Sequence, residues 1–302
     1  MNLDRASMEP FRRYHDFHNE VNVTLKVLSG SAKHTARYLQ RPGCTERLGD
    51  LIMAADPSWK KPPVWSYEPT IEGRMLGQIG NFGVLSVFSA ADDFADGIEA
   101  EVARWEDFSG SKVPLCSAQS EFRLMRVIER LGFITTGIDN DLAVIEYFQT
   151  VRNCLAHRDG RASPSLSSLS QLPALAAAYS SFRRRASKEL HAFAIDERIS
   201  IHPKSAIFYS HITRRIAKSI DRQLLDLVGE PGFLNMAVAH VFSKERPIRS
   251  HAYKSAEAVI NSALSGRYRA SSLSSNADII RMLRKTGLWQ RCRDGFDLHY
   301  GH

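Results

Sequence analysis

Between residues 84 and 105 apolar side chains recur at intervals of three and four, at Val84, Phe88, Ala91, Ala95, Ile98, Val102 and Trp105. That is the period of one face of a long α-helix and not the two-residue alternation of a half-buried strand. Asp92, Asp93, Asp96, Glu99 and Glu101 occupy much of the remaining surface of this helix. A chain organised around such an element is expected to be mainly α, a helical bundle with at most a short hairpin.

The same period recurs on both sides. A helix is expected around residues 11–40, followed by a loop-rich stretch in which Lys60-Lys61-Pro62-Pro63 argues against regular structure. Residues 120–131 carry Leu124, Val127, Ile128 and Leu131 on one face, with Gly132 as a stop. Residues 139–157 form a further helix, capped by Asp139 or Asn140, with Leu142, Ile145, Phe148, Val151 and Leu155 as its buried stripe and Asp159-Gly160 as its terminator. A Ser/Pro-rich loop follows, then a helix over residues 173–192. Residues 193–201 alternate around Asp196-Glu197, as a small hairpin would. Residues 205–228 read as a helix ended by Gly229-Glu230-Pro231-Gly232, and two shorter helices are expected around Ala258–Leu264 and Ile279–Leu288. The chain therefore divides into an irregular and helical segment, residues 1–80, a helical core, residues 81–230, and a small basic helical extension, residues 231–302.

The net charge is +7 and the isoelectric point near 9.3, and both halves of the chain do not share it equally. Residues 1–160 hold 18 basic and 22 acidic side chains, whereas residues 161–302 hold 22 and 11. The positive field thus belongs to the C-terminal half, in clusters at Arg183-Arg184-Arg185, Arg214-Arg215, Arg246 with Arg249, Arg267-Tyr268-Arg269, and Arg281, Arg284 and Lys285. Arginine outnumbers lysine, which suits bidentate contacts to phosphate, so a polyanionic partner is expected. Tyr268 is a candidate for stacking a base, or for an interface. No run of eighteen uncharged apolar residues and no secretory leader is apparent, so no membrane association is expected and the cytoplasm is the expected location. Cys44, Cys116, Cys154 and Cys292 form no CxxC pair and suggest neither disulfides nor a zinc site; Cys154 reads as a small helix-packing residue.

The segment Val151-Arg152-Asn153-Cys154-Leu155-Ala156-His157-Arg158-Asp159-Gly160 carries the strongest chemical signal. Spacing alone does not single it out. With 29 arginines and 11 histidines, about one Arg-to-His pair five residues apart is expected by chance, and Arg13/His18 and Arg246/His251 share the spacing. Context distinguishes Arg152/His157: the pair ends a strongly periodic helix, includes the Arg-Asn doublet, and precedes a glycine turn. His15 with His18 lacks a third ligand, and Gly73, Gly77, Gly80 and Gly83 match no phosphate-binding fingerprint.

In this pattern the chain resembles the HEPN superfamily of helical proteins over residues 80–230. The resemblance implies a metal-independent endoribonuclease without cofactor, acting as a homodimer whose two Arg/His pairs form one composite cleft. His157 would move protons, Arg152 would hold the scissile phosphate, and Asn153 would orient phosphate or histidine; Arg158, Arg183, Arg184, Arg185, Arg214, Arg215, Arg267 and Arg269 would bind RNA. Products would be a 2′,3′-cyclic phosphate and a 5′-hydroxyl. Kinship also implies a toxin-antitoxin or antiviral defence role with an inhibitory antitoxin or activating partner. The alternatives are a non-catalytic RNA-binding or assembly scaffold on the same fold, and a metal-dependent enzyme using the Asp92/Asp93/Asp96 face.

Overall fold

The computed structural model describes residues 6–58, 61, 71–110, 112–113, 116–182, 190–242, 253, 255–268 and 276–300. Among them the protein is mainly α-helical: α1 (Glu9–Leu39), α2 (Leu48–Ala55), α3 (Ile71–Ser109), α4 (Arg123–Arg130), α5 (Asp139–His157), α6 (Pro164–Ser170), α7 (Pro173–Ser180), α8 (Pro203–Phe242), α9 (Ala256–Gly266), α10 (Asn276–Lys285) and α11 (Trp289–Tyr300). No helix among the described residues is long and apolar enough to cross a membrane. The chain forms two compact units, one of Met1–Asp16, Ala90–Thr136 and Arg214–His302, the other of Phe17–Ser89 and Gly137–Thr213, so α1, α3 and α8 each contribute to both.

In the second unit α5 packs against α6 and α7 and buries more than one stripe. Val144, Ile145, Tyr147, Phe148, Val151 and Cys154 are buried, whereas Leu142 and Leu155 are only half-buried. The expected face is therefore rotated: neighbours on several sides draw in Tyr147 and Cys154 as well. Phe148 stacks on Tyr209 of α8 with ring centroids 4.7 Å apart, and Phe208 receives Tyr179 and Phe182 at 5.0 and 5.5 Å. The α5 N-cap is Ile138, without a side-chain cap, and Asp139 instead accepts a hydrogen bond from the Gly137 amide at 3.3 Å.

An extended segment after Asp196 crosses α3 in this unit. A Cβ at Gly80 would overlap the Ile201 carbonyl and one at Gly77 would overlap the Ser200 hydroxyl, so these glycines permit backbone to lie directly on the helix. Asn81, one residue on, donates to the Ile199 carbonyl at 3.1 Å and accepts from the Ile201 amide at 3.0 Å. One side-chain amide thus satisfies two backbone groups as a neighbouring strand would. Helix α3 consequently begins at Ile71, earlier than its apolar stripe indicates, because glycine replaces bulky side chains on the face that meets the segment.

The hairpin expected within residues 193–201 does not close on itself. Asp196, at φ 63°, turns the chain, and the following residues pair with the chain leaving α5: Ala162 donates to Glu197 at 2.9 Å, Asp196 to Ala162 at 2.9 Å, and Ile199 to Gly160 at 2.8 Å. The result is one isolated antiparallel bridge, Arg161 to Arg198. The Ser/Pro-rich stretch is helical as α6, because the Ser163 hydroxyl accepts from the Leu166 amide at 3.0 Å and Pro164 occupies the first turn, where its missing N–H costs nothing. Helix α7 ends at Ser180, and residues 183–189 of the longer expected helix lie outside the described residues.

In the first unit Gly229 (φ 62°, ψ −174°) breaks α8, but the helix resumes at once, with Pro231 in the new first turn. The second limb buries Phe233, Leu234, Met236, Ala237, Val238, Ala239, Val241 and Phe242. A helix buried on all sides shows no amphipathic period, which is why the Gly-Glu-Pro-Gly sequence reads as an ending. Asp221 is 1% exposed and its carboxylate accepts the Met8 amide at 2.7 Å, just ahead of α1. Burial pushes this carboxyl up to about 7.

Two stability measurements follow. Gly80→Ala is expected to cost about 3 kcal/mol or more in urea denaturation, since backbone must shift, while Gly73→Ala, whose Cβ meets nothing within 4 Å, stabilises by about 0.5–1 kcal/mol through helix propensity. For Asp221 the folded state holds a proton that the unfolded chain has already released, so its contribution is full below an ordinary carboxylate value of 3.8 and is lost as pH rises through about 7. Thermal melting of Asp221→Asn, which retains an acceptor for Met8, is expected to show a flatter pH profile across that window and a higher Tm than wild type at pH 8.

Candidate functional site at the end of helix α5

Buried Val151 and Cys154 fix the last turns of α5 and leave the adjacent positions to the surface: Arg152 is half-buried, and Asn153, His157 and Arg158 are exposed. Asp159 (φ 53°) and Gly160 (φ 69°) then adopt left-handed conformations in succession, and the Arg158 and Gly160 amides both donate to the Cys154 carbonyl, at 3.0 and 3.2 Å. The Arg152 guanidinium carbon lies 4.1 Å from the centroid of the Phe88 ring, and its Nη1 donates to Asn153 Oδ1 at 3.0 Å. Asn153 and His157 are four residues apart and so share a helix face, one turn from each other. The Arg152–Asn153 hydrogen bond thus brings the guanidinium toward the face that bears His157, although Arg152 and His157 themselves point about 140° apart. A histidine in the last turn also meets the negative end of the helix dipole.

The turn beyond the helix is built of charge. Arg158 pairs with Asp196 at 3.3 Å and Arg161 donates to the Asp196 carbonyl at 3.2 Å. Glu197 accepts from the Ala194 amide and from His191, each at 2.8 Å, and these bonds hold its carboxyl below the usual range. Tyr147 donates to the His191 carbonyl at 3.2 Å, and burial pushes its hydroxyl pKa up.

The remaining sequence-derived candidates stand elsewhere. Arg183, Arg184, Arg185 and Arg269 lie outside the described residues, as do Arg246 and Arg249. Arg214 donates through Nε to His15 Nδ1 at 2.9 Å, and Arg215 beside it is half-buried. Arg267 donates to His240 Nε2 at 2.6 Å. Arg214, Arg215 and Arg267 belong to the first unit, whereas Arg152, Asn153, His157 and Arg158 belong to the second. Asp96 pairs with Arg123 and Glu99 with Arg130, so the acidic face of α3 is in part a docking face for α4. Among the described residues no three His, Cys, Asp or Glu side chains are grouped to hold a metal ion.

Sequence reasoning missed a buried polar network in the first unit. Glu101, placed with the surface acids of α3 by its sequence neighbours, is fully buried and accepts from Arg104 at 2.7 Å, His240 Nδ1 at 3.0 Å and the Tyr268 hydroxyl at 3.0 Å. A guanidinium can only donate, so its bond to His240 Nε2 assigns the imidazole proton to Nδ1, which donates to Glu101. Burial works to raise the Glu101 carboxyl, but the His240 hydrogen bond and the Arg104 charge outweigh it and hold it below its ordinary value. Tyr268 is fully buried, which leaves no ring face for a base. The available signal was a histidine inside an otherwise apolar run, Phe-Leu-Asn-Met-Ala-Val-Ala-His-Val-Phe ending at Phe242.

Comparison with known protein families, with curated proteins and with solved structures finds no match to this chain.

The Arg152–Phe88 contact is open to a double-mutant cycle. Phe88→Leu and Arg152→Gln, singly and together, are expected to give a coupling of about 0.5–1 kcal/mol in chemical denaturation; a coupling of zero would mean that the ring does not hold the guanidinium.

Proposed function

We propose that this chain is a metal-independent endoribonuclease of the HEPN type, with Arg152, Asn153 and His157 as its catalytic group. The observation that carries this reading is the surface cluster at the end of α5, where Asn153 is bonded to Arg152 and stands one turn from His157. In the proposed reaction the ribose 2′-oxygen attacks the adjacent phosphorus and the 5′-oxygen leaves, giving a 2′,3′-cyclic phosphate and a 5′-hydroxyl. His157 takes the 2′-hydroxyl proton or returns one to the leaving oxygen, and Arg152 holds the phosphate and the charge that develops on it. Because the two side chains diverge around the helix, a symmetric homodimer supplies the second pair that completes the cleft. Arg158 and the arginines of the C-terminal half bind the RNA backbone. The resemblance to HEPN proteins carries with it a cytoplasmic toxin-antitoxin or antiviral defence role, with an antitoxin or activator as partner.

A second reading has one observation in its favour. The stacking of Arg152 on Phe88 half-buries the guanidinium, as in a non-catalytic RNA-binding or assembly scaffold where that arginine is a packing residue. Incubating total cellular RNA in EDTA with wild type, Arg152→Ala and His157→Ala separates the two. Cleavage by wild type alone, leaving cyclic phosphate ends and falling at least about a hundredfold in His157→Ala, is the expected outcome; RNA left intact by wild type, or cut equally by His157→Ala, rejects the nuclease.

A further inference from the structure

The second unit contains a pocket of about 460 Å³, within the range of small-molecule sites. The first turns of α3 form one wall, through Gly73, Arg74, Gly77 and Gln78, and the extended segment forms the other, through Arg198 and Ser200. Two guanidiniums, an amide and a hydroxyl therefore border one cavity, and among the described residues no carboxylate or aromatic ring lines it. Arg198 makes no ion pair among the described residues. Asn81, also at the pocket, is committed to the backbone of Ile199 and Ile201 and serves as part of the frame. Gly73 leaves the wall open, since a Cβ there would project into free space.

We propose that this pocket binds a small molecule carrying two or more phosphate groups. Guanidiniums carried by two different elements suit a ligand with separated anionic oxygens, each able to take a forked pair of N–H donors. Among the described residues no lining carboxylate repels such a ligand. The site is distinct from the α5 cluster and independent of the ribonuclease reading. It is nevertheless joined to that cluster by the chain itself, since Arg198 bridges Arg161 and Ile199 donates to the Gly160 carbonyl at 2.8 Å.

Titration calorimetry of the full chain with sodium tripolyphosphate at fixed salt tests the proposal. Wild type is expected to bind one equivalent, with Arg198→Gln weaker by about tenfold or more. Gly73→Glu, which adds a carboxylate to the wall at a position free of clashes, is expected to abolish binding, whereas Gly73→Ala and His157→Ala bind as wild type does. No binding by wild type at millimolar tripolyphosphate overturns the proposal. So does binding of several equivalents that is unchanged in both Arg198→Gln and Gly73→Glu, which would be general attraction to a basic protein.

Discussion

A single side-chain amide, that of Asn81, holds the second unit's irregular chain to helix α3. Its two hydrogen bonds take the Ile199 carbonyl and the Ile201 amide, groups that the pairing with Gly160 and Ala162 does not meet, and the glycines at positions 77 and 80 let the backbone come close enough for them to form. Each group would otherwise be left unpaired beside a packed helix, at a cost of about 1–3 kcal/mol. The same segment pairs with Gly160 and Ala162 immediately after α5. The end of the helix that presents Asn153 and His157 is therefore set by a chain of contacts that begins at α3.

Much of the architecture was legible because amphipathic helices announce themselves. The bounds of α5 and the core positions of α4, Leu124, Val127 and Ile128, follow from the three- and four-residue period. Legibility failed where burial is not one-sided. The second limb of α8 is apolar all round, and the glycine face of α3 meets backbone instead of side chains, so neither carries a stripe to detect. The Ser163 cap of α6 was hidden inside a composition that usually marks loops. At the candidate site, the surface placement of Asn153, His157 and Arg158 agrees with their sequence context, but the Phe88 platform under Arg152 depends on a contact 64 residues away and has no local signature.

The buried network around Glu101 shows why charge pattern and charge function diverge. In sequence Glu101 is one of five acids between residues 92 and 101, yet Asp96 and Glu99 pair with arginines at part-exposed positions while Glu101 is enclosed by Arg104, His240 and Tyr268. Exposed pairs of the first kind contribute about 1 kcal/mol or less. An enclosed carboxylate is different: removing Arg104, the cation that pairs with it, strands a buried charge, and the cost rises to about 3–5 kcal/mol. Arg267, read from sequence as part of a basic patch, extends this network through His240.

Neither unit is continuous in the chain, and the first is assembled from residues 1–16, 90–136 and 214–302. On the ribosome, the earliest residues of that unit can meet residues 90–136 first but must wait for the last third of the protein before the unit is complete. During that interval the largely apolar run from Phe233 to Phe242, in which only Asn235 and His240 are polar, emerges without the helices that follow it. Such a segment is a natural client for a chaperone, and the rate of synthesis through it sets how long the nascent chain is exposed to misassembly. For the same reason no continuous fragment reproduces either unit, and removal of residues from one end disturbs elements encoded near the other.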